Sequence, residues 1–176
     1  MMANFDYAFT LVGLILGLSV TEVLSGLVRT VRKHRFRTIE WLTPLLGLVV
    51  ICDLTTYWGL IADYRQSMPG LFRALAGGVL ITSLYYVAAS MVFPDGNTDL
   101  NEHYFKYKRG ILALVVVCNL LVFASQIARW RPEEYAVNGA WIALMAIAIQ
   151  VRGVRANYVA LGALLIMYAI IFALAA

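Results

Sequence analysis

The sequence predicts an all-α, polytopic membrane protein: six transmembrane helices in one bundle, with both termini on the non-cytoplasmic side. Three observations carry this prediction. Of 176 residues, 62% are hydrophobic and the mean hydropathy is +0.78, an apolar content that suits lipid rather than a soluble domain of this size. The apolar residues fall into six long runs separated by short polar segments. The basic residues cluster beside alternate ends of those runs, the pattern that sets orientation in a membrane.

The first span is expected at 7–28, YAFTLVGLILGLSVTEVLSGLV. At 1.5 Å per residue it reaches about 33 Å, enough for a hydrocarbon core of about 30 Å. No basic residue precedes it, and it is too long for the apolar core of a removable signal peptide. Gly13, Gly17, Thr21 and Ser25 recur every fourth residue. Such a stripe lets another backbone come close, either inside the monomer or between subunits. The second span is expected at 41–62, with Pro44 in its first turn, where proline is tolerated. The third is expected at 71–93, the fourth at 110–128, the fifth at 136–151 and the sixth at 158–175. The segment 98–109 reads as a short amphipathic piece on the cytoplasmic headgroups. Leu100, Tyr104 and Tyr107 share its apolar face, with Glu102, His103, Lys106 and Arg109 elsewhere. The whole chain, 1–176, is read as one membrane domain.

Ten basic residues fall on one side: Arg29, Arg32, Lys33, Arg35, Arg37, Lys106, Lys108, Arg109, Arg152 and Arg155. Arg65, Arg73, Arg129 and Arg131 fall on the other. The richer side is expected to be cytoplasmic, and the location a bacterial inner membrane. Trp41, Trp58, Trp130 and Trp141 lie near span ends and read as interfacial anchors. The net charge of +4 sits at helix ends. It points to anionic headgroups rather than nucleic acid. The run Arg29 to Arg37 reads as a contact for those headgroups or for a protein partner at the cytoplasmic face. Three plus three spans also allow an inverted repeat, with Ser25, Arg29 and Trp41 matching Ser125, Arg129 and Trp141 at a shift of 100.

Two acids stand inside apolar runs. Glu22 is about 10 Å in from Arg29, and Asp53 about 18 Å in from Trp41. An ionised acid at a helix centre costs about 2.5–3.5 kcal/mol on insertion scales. Both acids are therefore expected to face the bundle. At Asp53's depth come Asn119, about 15 Å from Arg109, and Tyr168, about 20 Å from Arg155. Tyr85 and Tyr86, about 12 Å from Phe93, match Glu22 instead. Read functionally, Glu22, Asp53, Asn119, Ser125 and Gln126 sketch an ion path. Read structurally, they are polar clamps between helices.

Enzymatic chemistry is not expected. The two histidines, His34 and His103, lie outside the spans, which excludes a transmembrane bis-histidine haem and a buried Ser-His-acid relay. No lysine falls within a predicted span for a retinal Schiff base. No phosphate loop or dinucleotide fingerprint appears. Cys52 and Cys118 lie in apolar runs with no disulfide or zinc spacing. No cofactor and no metal are expected.

The run FDYAFTLVGLILGLSVTEVLSGL, the basic loop, the Trp-containing second span and the later FPDGNTDLNEHYFKYKR together resemble uncharacterised multipass proteins of bacterial inner membranes. The resemblance implies a polytopic helical fold and attaches no activity to any residue. Two functions are weighed on the residues, the first as the expected function and the second as its alternative. One is an oligomeric channel or carrier for a small ion, protons included, assembled as a homo-oligomer through the Gly13/Gly17 face. The other is a non-catalytic accessory or scaffold subunit that docks a partner through the basic loop.

Overall fold

The computed structural model describes residues 2–33, 40–63, 71–95, 98–126 and 132–175. They form six α-helices: α1 (Met2–Lys33), α2 (Leu42–Asp63), α3 (Leu71–Ser90), α4 (Leu100–Gln126), α5 (Pro132–Gln150) and α6 (Val154–Ala175), with no strand among the described residues. Four helices carry stretches long and apolar enough to cross a membrane: Phe9–Arg32, Leu42–Ile61, Leu100–Ala124 and Val154–Ala173. The apolar stretch in α3, Leu75–Ser90, is shorter.

The helix ends follow local chemistry. Pro44 falls in the first turn of α2 and Pro132 opens α5, where a missing N–H costs no intrahelical bond. Asp99 caps α4, its Oδ1 accepting from Glu102 N at 3.0 Å. Gly153 separates α5 from α6, and its carbonyl accepts from Asn157 N at 3.0 Å.

α2 sits at the centre, touching α1, α3, α4 and α6. Around it the neighbours run α1, α3, α4, α5, α6. Cross-contacts give the directions. Val12 lies against Gly78 and Gly26 against Phe93, so α1 and α3 run parallel, whereas Gly13 by Trp58 and Gly47 by Val23 make α1 and α2 antiparallel. Large apolar residues lie on the outside as well as in the core. Val159 is 73% exposed and Leu14 61%, while Asp53 and Lys108 are each 2% exposed. Large apolar side chains are thus exposed around a core that is mostly apolar but encloses a few buried polar groups.

Several expectations need correction. Residues 98–109 are not a separate headgroup segment: from Leu100 they are the first turns of α4. His103, Tyr104 and Lys108 are buried against the bundle, so His103 and Lys108 belong to the inner face rather than to a solvated loop. His103 Nε2 lies 2.9 Å from Met91 O, just past the end of α3. Trp141 is no interfacial anchor, being 3% exposed in the core. Trp130, Arg35 and Arg37 lie outside the described residues, as do the side chains of Lys33, Ser125 and Gln126.

The small-residue stripe is not the seam of α1. Gly13 faces Trp58, but a Cβ on Gly17 would meet nothing within 4 Å, and Thr21 and Ser25 are exposed. The close approach is at Gly26, where a Cβ would come within 2.4–2.7 Å of Phe93. At the other end of the same pair, a Cβ on Gly78 would meet Val12 Cγ2 at 2.8 Å. Gly26→Ala should therefore overpack the α1–α3 contact and cost about 1–3 kcal/mol, whereas Gly17→Ala should leave stability unchanged. Thermal unfolding of the two variants in detergent checks this, and equal melting temperatures would contradict it.

Candidate functional site

An acid on the central helix has no bulk water, so its oxygens must find donors on neighbouring helices. Asp53 lies halfway along α2, about 16 Å from the start of the helix. Its Oδ2 accepts from the Tyr85 hydroxyl of α3 at 2.5 Å and from Asn119 Nδ2 of α4 at 2.9 Å. Its Oδ1 accepts from the Tyr168 hydroxyl of α6 at 2.6 Å. Trp141 of α5 completes the node, its Nε1 donating to the Tyr168 oxygen at 2.9 Å. One carboxylate thus joins five helices, directly or through one hydroxyl.

The surroundings hold the donors in place. Asn119 Nδ2 also donates to its own helix at Val115 O (3.0 Å) and lies 3.2 Å from the Tyr85 hydroxyl, so one N–H is shared between Asp53 and Tyr85. The Tyr57 ring leans on Tyr85 with centroids 5.5 Å apart. Phe123 meets Trp141 edge-on at 6.0 Å. Cys118 is buried, its thiol 3.6 Å from Ile81 O, and Cys52 is half-buried and free.

The direction of the hydrogen bonds matters for the chemistry. Trp141 donates to Tyr168, Tyr168 to Asp53, and Tyr85 and Asn119 to Asp53 from the other side. These four bonds all point towards the carboxylate, while Asn119 also donates to Val115 O. A proton relay needs donors and acceptors arranged head to tail, with an entry and an exit. Here one branch starts at an indole N–H, which donates but cannot accept. The arrangement is that of a clamp whose donors converge.

Glu22 departs from expectation. It does not face the bundle or meet Tyr85. Its side chain is 35% exposed and lies 3.7 Å from Arg29 Nη2, itself 55% exposed, a pair that contributes at most about 1 kcal/mol. Tyr85 belongs to Asp53, and Tyr86 is exposed. Of the sequence-predicted residues the structure brings together Asp53, Tyr85, Asn119 and Tyr168, and leaves Glu22, Tyr86, Arg29 and Arg32 outside.

A second polar cluster has no counterpart among the residues expected from sequence. Lys108 of α4 donates from Nζ to Ala148 O at 3.2 Å, to Asn157 Oδ1 at 2.6 Å and, more closely, to Val151 O. Tyr104 donates to the same Asn157 oxygen at 2.9 Å. A cation at the last carbonyls of α5 suits the negative end of the helix dipole, and all three N–H groups of the ammonium are used. The available signal was a lysine one turn after Tyr104 and facing the same way.

Comparison with protein-family models, with curated proteins and with solved structures gives no match.

Tyr168→Phe should leave Asp53 Oδ1 and the Trp141 N–H without partners and cost about 1–3 kcal/mol. Tyr86→Phe, on an exposed tyrosine, should cost nothing measurable. Unfolding in detergent read by tryptophan fluorescence checks the pair, and equal stability of both variants would contradict the node.

Proposed function

We propose that the chain spans a bacterial inner membrane six times, with both termini on the periplasmic side, and serves as a non-catalytic scaffold or accessory subunit. The observation that carries this reading is the convergence of donors on Asp53. Tyr85, Asn119 and Tyr168 occupy the carboxylate from three helices, and Trp141 blocks one branch with a group that cannot accept a proton. Such a node holds helices in register. The basic end of α1, with Arg29 and Arg32 exposed, supports docking of an acidic partner or anionic headgroups there. The outward stripe of Gly17, Thr21 and Ser25 is compatible with a homo-oligomer.

A second reading keeps one specific observation: Asp53 is ionisable and stands at mid-length in a helix apolar enough to cross a membrane. In that reading the chain is an oligomeric channel or carrier for a small ion, and Asp53 binds a proton during the cycle.

Proton flux into vesicles containing the purified chain separates the two. The scaffold reading expects the rate of empty vesicles for the wild type and for Asp53→Asn alike. A wild-type rate well above the empty control, abolished by Asp53→Asn in a variant that still folds, would overturn it in favour of the carrier.

A further inference from the structure

A cavity of about 360 Å³ opens where α3 ends and α4 begins, and its wall includes Met91, Phe93, Asp95, Glu102, His103, Lys106 and Tyr107. That volume is at the low end of small-molecule sites. Its charges are unspent. Glu102 and Lys106 are one helical turn apart, yet neither they nor Asp95 form an ion pair among the described residues. Lys106 Nζ instead stands 5.2 Å from the centre of the Tyr107 ring.

His103 adds a directed acceptor. It is buried, and its Nε2 lies 2.9 Å from Met91 O. A carbonyl only accepts, so Nε2 carries the hydrogen, and in the neutral ring Nδ1 is left as an acceptor. Nδ1 has no hydrogen-bond partner among the described residues. The wall therefore offers carboxylates on Asp95 and Glu102, the His103 ring, whose Nδ1 accepts when the ring is neutral, and one cation, Lys106. With neutral His103 its formal charge is −1, which disfavours an anionic ligand and favours one that carries its own cation.

The cavity also sits at the head of two outward stripes. Leu80, Val87 and Ser90 are exposed along α3, and Lys106, Ala113 and Val117 along α4. Ser90 and Lys106 belong to the cavity wall as well. On the reading that the chain lies in a bilayer, an apolar surface thus runs from the cavity into the hydrocarbon.

We propose that this cavity is a headgroup site for a phosphate diester bearing a primary ammonium, as in phosphatidylethanolamine, with the acyl chains lying along α3 and α4. Lys106 and the Tyr107 hydroxyl take the phosphate. Asp95, Glu102 and His103 Nδ1 receive the three N–H bonds of the ammonium. A choline headgroup has no N–H to donate and leaves those acceptors unmatched.

The test uses the full chain in detergent, with dioleoyl phosphatidylethanolamine, phosphatidylcholine and phosphatidylglycerol added in equal amounts and retained lipid read by native mass spectrometry. The ethanolamine lipid should be retained about tenfold over the choline lipid. Asp95→Asn combined with Glu102→Gln should remove that preference without changing the melting temperature, and Lys106→Met should weaken both zwitterionic lipids together. Equal retention of the three lipids, or an unchanged preference in the double variant, would overturn the site. Displacement by glycerophosphoethanolamine at lipid-like concentration would overturn the bilayer as the source, leaving a site for a soluble ester. Carbonate extraction of native membranes reads bilayer insertion separately, so loss of that premise is distinguishable from loss of the site.

Discussion

The structure depends on satisfying one carboxylate without bulk water. Asp53 is buried on the helix that touches most of the others, and its partners are all neutral. Three donors on three helices reach it, and a fourth helix steadies one of them. Between apolar helices in lipid there is no hydrophobic drive to choose a register, so directed hydrogen bonds and close packing make the choice. At the node, sliding any of these helices by one residue would move its donor about 1.5 Å along the axis and rotate it about 100° away.

The rest of the bundle is tied in tiers around that level. About 15 Å along the helices, Lys108 joins α4 to the end of α5 and the start of α6. At the same end, Thr43 donates to Leu100 O at 3.0 Å, and Glu40 accepts from Asn101 N at 2.8 Å, fastening the start of α2 to the start of α4. The Glu40 carboxylate also suits the positive end of the α4 dipole. α1 is held differently. Its match with α3 is one of shape, with Gly26 under Phe93 and Gly78 under Val12. Polar bonds thus set the register of α2 to α6, while packing fixes α1.

Depth was legible in the sequence, and facing was not. Counting 1.5 Å per residue brought Asn119 and Tyr168 to the level of Asp53, and the structure joins all three. Tyr85, at about 12 Å from Phe93, matches Glu22 by depth, yet its hydroxyl meets Asp53. Glu22 is expected inside because an ionised acid is costly in hydrocarbon, but it lies two turns from Arg29 and meets that cation at the outer surface instead. The real seam of α1 hinged on Gly26, a lone glycine whose partner, Phe93, is distant in sequence. In the sequence Lys108 looks like an orientation marker, as basic residues near span ends usually are. Capping the far end of α5 is a tertiary event with no local signature. The same limit hid Trp141, whose N–H is used inside rather than at a headgroup.

The account turns on Asp53 being held by its neighbours as one unit, and a double-mutant cycle between Asp53→Ala and Tyr168→Phe measures that most directly. Unfolding free energies of the wild type, both single variants and the double variant in one detergent give the coupling. A coupling of about 0.6–1.7 kcal/mol, the range of strong interhelical hydrogen bonds in membrane proteins, is the expected result. Strict additivity of the two substitutions would mean that Tyr168 and Asp53 act independently, and would contradict the node.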